Sequence, residues 1–130
     1  MARERALGSV VGAGGGRSLG AGFVRISTDA SFKQDVLHSE RFVLVAFGAS
    51  WCGPCQLLGP GLRALASIEK DRLMVTKIDV EANPATADLY RVDSYPTCIL
   101  FKGGEPIERL DGYMPLRKIE ATLKPHLDRI

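Results

Sequence analysis

Several common features are missing from this chain, and each absence excludes something. Aromatic residues make up only 7% of it, too little for the base-stacking platform of a single-strand binder. Charge of one sign is missing too: 17 Lys and Arg stand against 15 Asp and Glu, a net charge of +2. So even a balance gives no basic footprint for nucleic acid. No run of 18 apolar residues occurs, so no transmembrane helix and no membrane partner is expected. There are two histidines and three cysteines, Cys52, Cys55 and Cys98. The paired ligand clusters of structural zinc are therefore absent, and no metal is expected. The low, odd cysteine count also argues against a secreted disulfide scaffold. We find no internal repeat.

What is present fits one domain. The chain has 130 residues, 45% of them hydrophobic, enough for a core without disulfide staples. Glycine is unevenly spread, with Gly8, Gly12, Gly14, Gly15, Gly16, Gly20 and Gly22 all in the first 22 residues. Such periodless sequence buries too little to offset its ordering entropy. Residues 1–22 are therefore expected to be a disordered tail and residues 23–130 the domain. The tail carries the whole positive balance, through Arg3, Arg5 and Arg17 against Glu4. It has too few bulky apolar residues for a signal peptide. Its Gly12-Ala-Gly14 follows no strand, which removes a phosphate-binding reading.

From Phe23 onward the pattern alternates. Phe23–Ile26 reads as a short strand, and Thr28 or Asp29 caps a helix to about Leu37. The unbroken apolar run Phe42–Phe47 predicts a central strand buried on both faces. Trp51 to Pro54 form a turn into a helix whose buried stripe is Leu58, Leu62 and Leu65, with Ile68 near its end. Pro60 is expected to kink that helix. Leu73–Val80 is a further strand, and Asn83 before Pro84 marks a helix start running to about Tyr90. Thr97–Lys102 and Pro106–Leu110 flank Gly103-Gly104 as a hairpin. A last helix carries Leu116, Ile119, Leu123 and Leu127, with Pro125 kinking or ending it. The order β-α-β-α-β-α-β-β-α predicts an α/β fold: a mixed five-stranded sheet flanked by four helices on both faces, with the hairpin at one edge.

The chemistry sits in Trp51-Cys52-Gly53-Pro54-Cys55. The two cysteines are three apart, after a buried strand and at a helix start. Unpaired N–H groups and the positive end of the helix dipole favour thiolate over thiol at Cys52. Cys52 can then attack a substrate disulfide, and Cys55 can attack the resulting mixed disulfide. Cys55, already inside the helix, is expected to be the less exposed of the two. Pro54 lacks an N–H and stiffens the loop at little cost to the helix start.

With that motif, residues 23–130 resemble the thioredoxin family. Pro60 fits its helix-kink proline, Lys77 the strand lysine behind the site, Tyr95-Pro96-Thr97 its cis-proline loop and Gly112 the glycine beyond the last strand. The resemblance implies the thioredoxin fold, a redox-active Cys52/Cys55 dithiol and a cis peptide bond before Pro96. It implies a substrate-binding loop from Trp51, Gly53, Pro54, Tyr95, Pro96 and Gly112. The implied partners are disulfide-containing proteins and a flavin- and NADPH-dependent thioredoxin reductase as electron donor. No cofactor is bound by the chain itself, and a monomer in the cytoplasm is expected. Three positions depart from the family. Ala46 stands where it has a buried aspartate, and Asp79 and Asp93 lie on other segments. Lys77 thereby loses its usual partner and must lower its pKa, reach solvent or find another acceptor. Gly48 stands where a tryptophan is frequent, and Tyr95 replaces an aliphatic residue.

Cys98 reads as a small buried core residue, and His38 and His126 as isolated surface residues without a role. The leading function is a thiol–disulfide oxidoreductase that reduces protein disulfides and carries electrons in redox homeostasis. The alternatives are a disulfide oxidant or isomerase, in which Pro54 is often histidine, and a non-catalytic binding module on the same fold.

Overall fold

The computed structural model describes residues 22–129, so the expected tail of residues 1–22 lies outside them except for Gly22. Its elements are β1 (Arg25–Ser27), α1 (Lys33–Leu37, a π-helical turn), β2 (Phe42–Gly48), α2 (Gly53–Ile68), β3 (Leu73–Asp79), α3 (Pro84–Leu89), β4 (Thr97–Lys102), β5 (Glu105–Asp111) and α4 (Leu116–Leu127). The five strands lie in the order β1-β3-β2-β4-β5. β1, β3 and β2 run parallel, while β4 is antiparallel to both β2 and β5. The predicted mixed sheet with an edge hairpin is therefore observed.

β2 is central because it is apolar on both faces. Val43, Val45 and Phe47 join Phe32, Ile99 and Phe101 in one core, beneath α1 and α3. Leu44 and Ala46 join Leu58, Leu65 and Leu123 in the other, beneath α2 and α4. Each side chain of leucine or phenylalanine size buried there contributes about 2 kcal/mol. Between Lys102 and Glu105, Gly103 and Gly104 have φ of +60° and +81°, the left-handed pair that a two-residue hairpin turn requires.

Four expectations are corrected. The first strand is Arg25–Ser27 rather than Phe23–Ile26. Phe23 and Ile26 point outward, and the buried residue is Ser27, whose hydroxyl shares a 2.6 Å hydrogen bond with Thr76. A satisfied polar pair replaces an apolar contact there, which hydrophobicity does not reveal. Thr28 and Ser31 close a turn through reciprocal bonds to each other's backbone N–H, so the first helix begins later than expected. Asp29 caps a different helix: its carboxylate accepts from the N–H of Ala85 and Thr86 and the hydroxyl of Thr86. Asn83 holds the N-cap position of α3 as expected, but its side chain makes no cap bond and accepts the Asp29 N–H at 2.8 Å instead. The Thr86 hydroxyl, with the backbone bonds, holds the Asp29 carboxyl below the usual range.

In α2 the stripe is Leu58, Leu62, Leu65 and Ala66, whereas Ile68 is exposed. At 100° per residue Ile68 falls roughly a quarter-turn off that stripe. α2 continues unbroken through Pro60, and α4 ends two residues beyond Pro125.

Candidate active site

The site grows from the C-terminal end of β2. The chain leaves the sheet at Gly48, turns through Ala49–Trp51 and enters α2. Cys52 is the N-cap of that helix, in extended backbone conformation, and its Sγ accepts the Cys55 N–H at 3.2 Å. A cysteine sulfur thus takes the place that a serine or aspartate oxygen usually fills. Pro54, in the first turn, removes a donor that no carbonyl of the helix would accept. Cys52 and Cys55 are joined as a disulfide, with their Cα atoms 5.3 Å apart.

The second wall comes from the segment before β4. The Tyr95–Pro96 peptide is cis, and the Tyr95 carbonyl oxygen lies 3.6 Å from Cys52 Sγ. Gly112, at φ +88°, donates its N–H to the Pro96 carbonyl at 2.7 Å. Thr97 locks the same loop by donating its hydroxyl to Ser94 O at 2.8 Å. Arg109 of β5 holds the carbonyls of Tyr90 and Arg91, bracing the chain that leads to the loop. Trp51 is 63% exposed. It meets the Tyr95 ring edge-to-face at 6.0 Å and donates its indole N–H to Glu81 at 2.6 Å. Trp51, Gly53, Pro54, Tyr95, Pro96 and Gly112 are thereby gathered around the disulfide.

The burial of the two cysteine residues is the reverse of expectation. Cys52 is only 4% exposed, whereas Cys55 is half-buried. Cys52 packs in the same cluster as Ala49, Val80 and Tyr95. Cys55 faces Gly48, where an added Cβ would stand 3.1 Å from its Sγ. The space left open is a cavity of about 360 Å³, bounded by Ala46, Gly48, Cys55, Leu58, Lys77 and Pro96 among others.

Ala46 lies directly across from Lys77 on β3 and from Cys98 on β4. With no carboxylate at position 46, Lys77 turns to solvent, one of the outcomes open to it. Asp79, one β-period further on, also lines the cavity, although its distance along the chain had set it apart. Its spacing from Lys77 was the readable signal, because residues two apart share a strand face. Glu81 as the partner of Trp51 had no such signal.

Cys98 is 3% exposed, and burial pushes its thiol up to about 12. That suits a core residue and not a nucleophile. His38 is exposed, as expected. His126 is not isolated: its ring lies 2.8 Å from the Glu108 carboxylate. Among the described residues no cluster of three His, Cys, Asp or Glu side chains is arranged to hold a metal. No helix among them is long and apolar enough to cross a membrane.

A disulfide at a helix N-terminus, beside a cis-proline loop on this mixed sheet, defines a thiol–disulfide oxidoreductase. Comparison with known proteins narrows the class. The family model for thioredoxin matches residues 23–125. A thioredoxin of Alicyclobacillus acidocaldarius is 44% identical over 96 residues, which is 74% of this chain and 90% of that protein. A thioredoxin of Mycobacterium bovis is 51% identical over 85 residues, 65% of this chain and 73% of the relative. A bifunctional thioredoxin reductase/thioredoxin of Mycobacterium leprae shows the same identity over 85 residues, which cover 19% of its length. The chain belongs to the thioredoxin family, whose members are protein-disulfide reductases.

Proposed function

We propose that Cys52 is the attacking nucleophile and Cys55 the resolving thiol of a monomeric, cytoplasmic protein-disulfide reductase. The observation that carries this assignment is the N-cap geometry. Cys52 Sγ receives a backbone N–H at the start of the 16-residue α2, where the helix dipole also favours negative charge. In the reduced protein the Cys52 thiolate attacks one sulfur of a substrate disulfide, and the other sulfur leaves as a thiolate. Cys55 then attacks the Cys52 sulfur of the mixed disulfide. The substrate departs reduced, and Cys52–Cys55 closes. No bound cofactor is required, because the two sulfurs carry both electrons.

Exposure does not select Cys52, so the surrounding loop must present the substrate. Trp51 offers apolar area beside the sulfur. The backbone at Tyr95 lies next to Cys52 and is held there by the Pro96–Gly112 bond. In this reading it pairs with an extended substrate peptide. Pro60 and Lys77 support the site from behind. A flavin- and NADPH-dependent thioredoxin reductase is the proposed electron donor. The relative that carries both names in a single chain supports that pairing. The site is complete within one chain, which favours a monomer. A reducing compartment suits a dithiol donor.

The test is insulin reduction followed by NADPH oxidation with a thioredoxin reductase, and by turbidity with dithiothreitol. Turnover under both conditions is expected. Failure under both refutes the reductase reading, and failure with the enzyme alone refutes the choice of donor.

A further inference from the structure

The disulfide has two sides, and the function proposed above uses only the side of Cys52. Cys55 opens on the cavity of about 360 Å³, whose wall includes Cys55 but not Cys52. That volume lies at the small end of ligand sites, roughly 300–1,000 Å³, so it suits a small molecule rather than a folded partner. The approach to Cys55 Sγ is open because Gly48 has no side chain where a Cβ would lie 3.1 Å away. Ala46 adds only a methyl group to the floor. Lys77 and Asp79 place one cation and one anion on the same wall, and both reach solvent. Neither forms an ion pair with another described residue. The cavity thus combines the Cys55 side of the disulfide, an apolar interior and two charges of opposite sign outside any ion pair among the described residues, Asp79 also accepting the Glu81 N–H at 3.0 Å.

We propose that this cavity admits a low-molecular-weight thiol of amino-acid type, its carboxylate toward Lys77 and its ammonium toward Asp79, which reduces the disulfide by attack on Cys55. The inference rests on Cys52–Cys55 being the redox pair. The small thiolate forms a bond to Cys55 Sγ and breaks the Cys52–Cys55 bond. The electron pair leaves on Cys52 Sγ, where the Cys55 N–H already donates. The stabilised thiolate is the better leaving group, so attack on Cys55 breaks the bond in the favoured sense. A second small thiolate then attacks the small-molecule sulfur of the mixed disulfide and releases Cys55. Two small thiols become one small disulfide, and the protein disulfide gains two electrons. The two protons that the thiols shed end on Cys52 and Cys55. The chain would thereby have a second route to its reduced state, independent of a protein reductase.

Three thiols of similar size test this: L-cysteine with both charges, cysteamine with only the cation and 3-mercaptopropionate with only the anion. Each reduces the oxidised full-length protein in stopped flow, monitored by Trp51 fluorescence, with rates expressed per thiolate. L-cysteine is expected to exceed the other two by about fivefold, the effect of one ion contact at 4 Å in water. Lys77→Gln should lower L-cysteine toward cysteamine, and Asp79→Asn should lower it toward 3-mercaptopropionate. Gly48→Ala, which crowds Cys55 Sγ, should slow all three. Equal rates for the three thiols on the parent protein, or rate ratios unmoved by both charge variants, overturn the proposal. Insulin reduction with dithiothreitol is measured on the same protein sample. Turnover there with equal thiol rates removes the cavity site and leaves the reductase reading intact, whereas no turnover removes that reading.

Discussion

The two sulfurs of one disulfide live in different surroundings. Around Cys52 the neighbours are close: the Tyr95 carbonyl at 3.6 Å, and Ala49 and Val80 in the same buried cluster. Around Cys55 two side chains are reduced to a methyl group and a hydrogen, at Ala46 and Gly48, and a cavity takes their place. The difference shows that a motif of five residues specifies which atoms react but not how they are reached. The space beside Cys55 is set by residues on β2 and β3, elsewhere in the chain.

The largest expected effect separates the two cysteines. Cys52→Ser should bring insulin reduction down to the rate without protein. Cys55→Ser should instead accumulate a substrate-linked species, visible by mass spectrometry and released by dithiothreitol, because attack proceeds without resolution. Accumulation in the Cys52 variant would reverse the assignment.

Next in size is the base that Cys55 lacks. Ala46→Asp puts a carboxylate across from Lys77, which offsets part of its desolvation. Resolution of the mixed disulfide at pH 7 should accelerate by about 10-fold or more, with a flatter pH profile. Stopped-flow fluorescence of Trp51 at several pH values checks it. Matching rates in both proteins would mean that proton removal does not limit the step.

A smaller effect belongs to the third cysteine. Cys98 keeps its proton up to about 12 in the folded protein, against an ordinary 9.0. The unfolded chain loses that proton first, so stability is retained below about pH 9 and falls as pH rises toward 12. The slope is at most about 1.4 kcal/mol per pH unit. Urea unfolding between pH 8 and 11 should show a fall in stability in the parent and a shallower one in Cys98→Ala, where the raised Tyr90 phenol still contributes. Smallest of all is the effect of removing residues 1–22. On the composition of that segment, insulin reduction and melting temperature should both stay within error, and a drop of several degrees would show that it packs on the domain.

How much of this was legible depends on which force acts at each position. β2 was readable because its apolar run permits only a strand covered on both faces. The hairpin was readable because Gly103-Gly104 supplies the required backbone. β1 starts two residues later and ends one later than read because Ser27 is buried through a hydrogen bond to Thr76, 49 positions away, and no local pattern encodes that partner. Asn83 holds the N-cap position of α3 as read, but the carboxylate that accepts its first amides is that of Asp29, a partner 57 positions away that no local pattern encodes. At the site, the redox pair and its cis-proline loop came from motif and resemblance. The relative burial of the two cysteines did not, because helix position alone says nothing about what Tyr95 and Gly48 do on either side.

The Asp29 cap also bears on how the domain comes apart. β1 is a three-residue edge strand, the element with least pairing to hold it. Its exit turn nevertheless supplies the carboxylate that satisfies the first amides of α3, 57 residues later. If β1 peels from the sheet, α3 loses its cap in the same event. The edge strand and that helix should therefore open as one cooperative unit. In hydrogen exchange the Ala85 and Thr86 amides would then exchange at the rate set by β1 detachment, not by fraying of their own short helix.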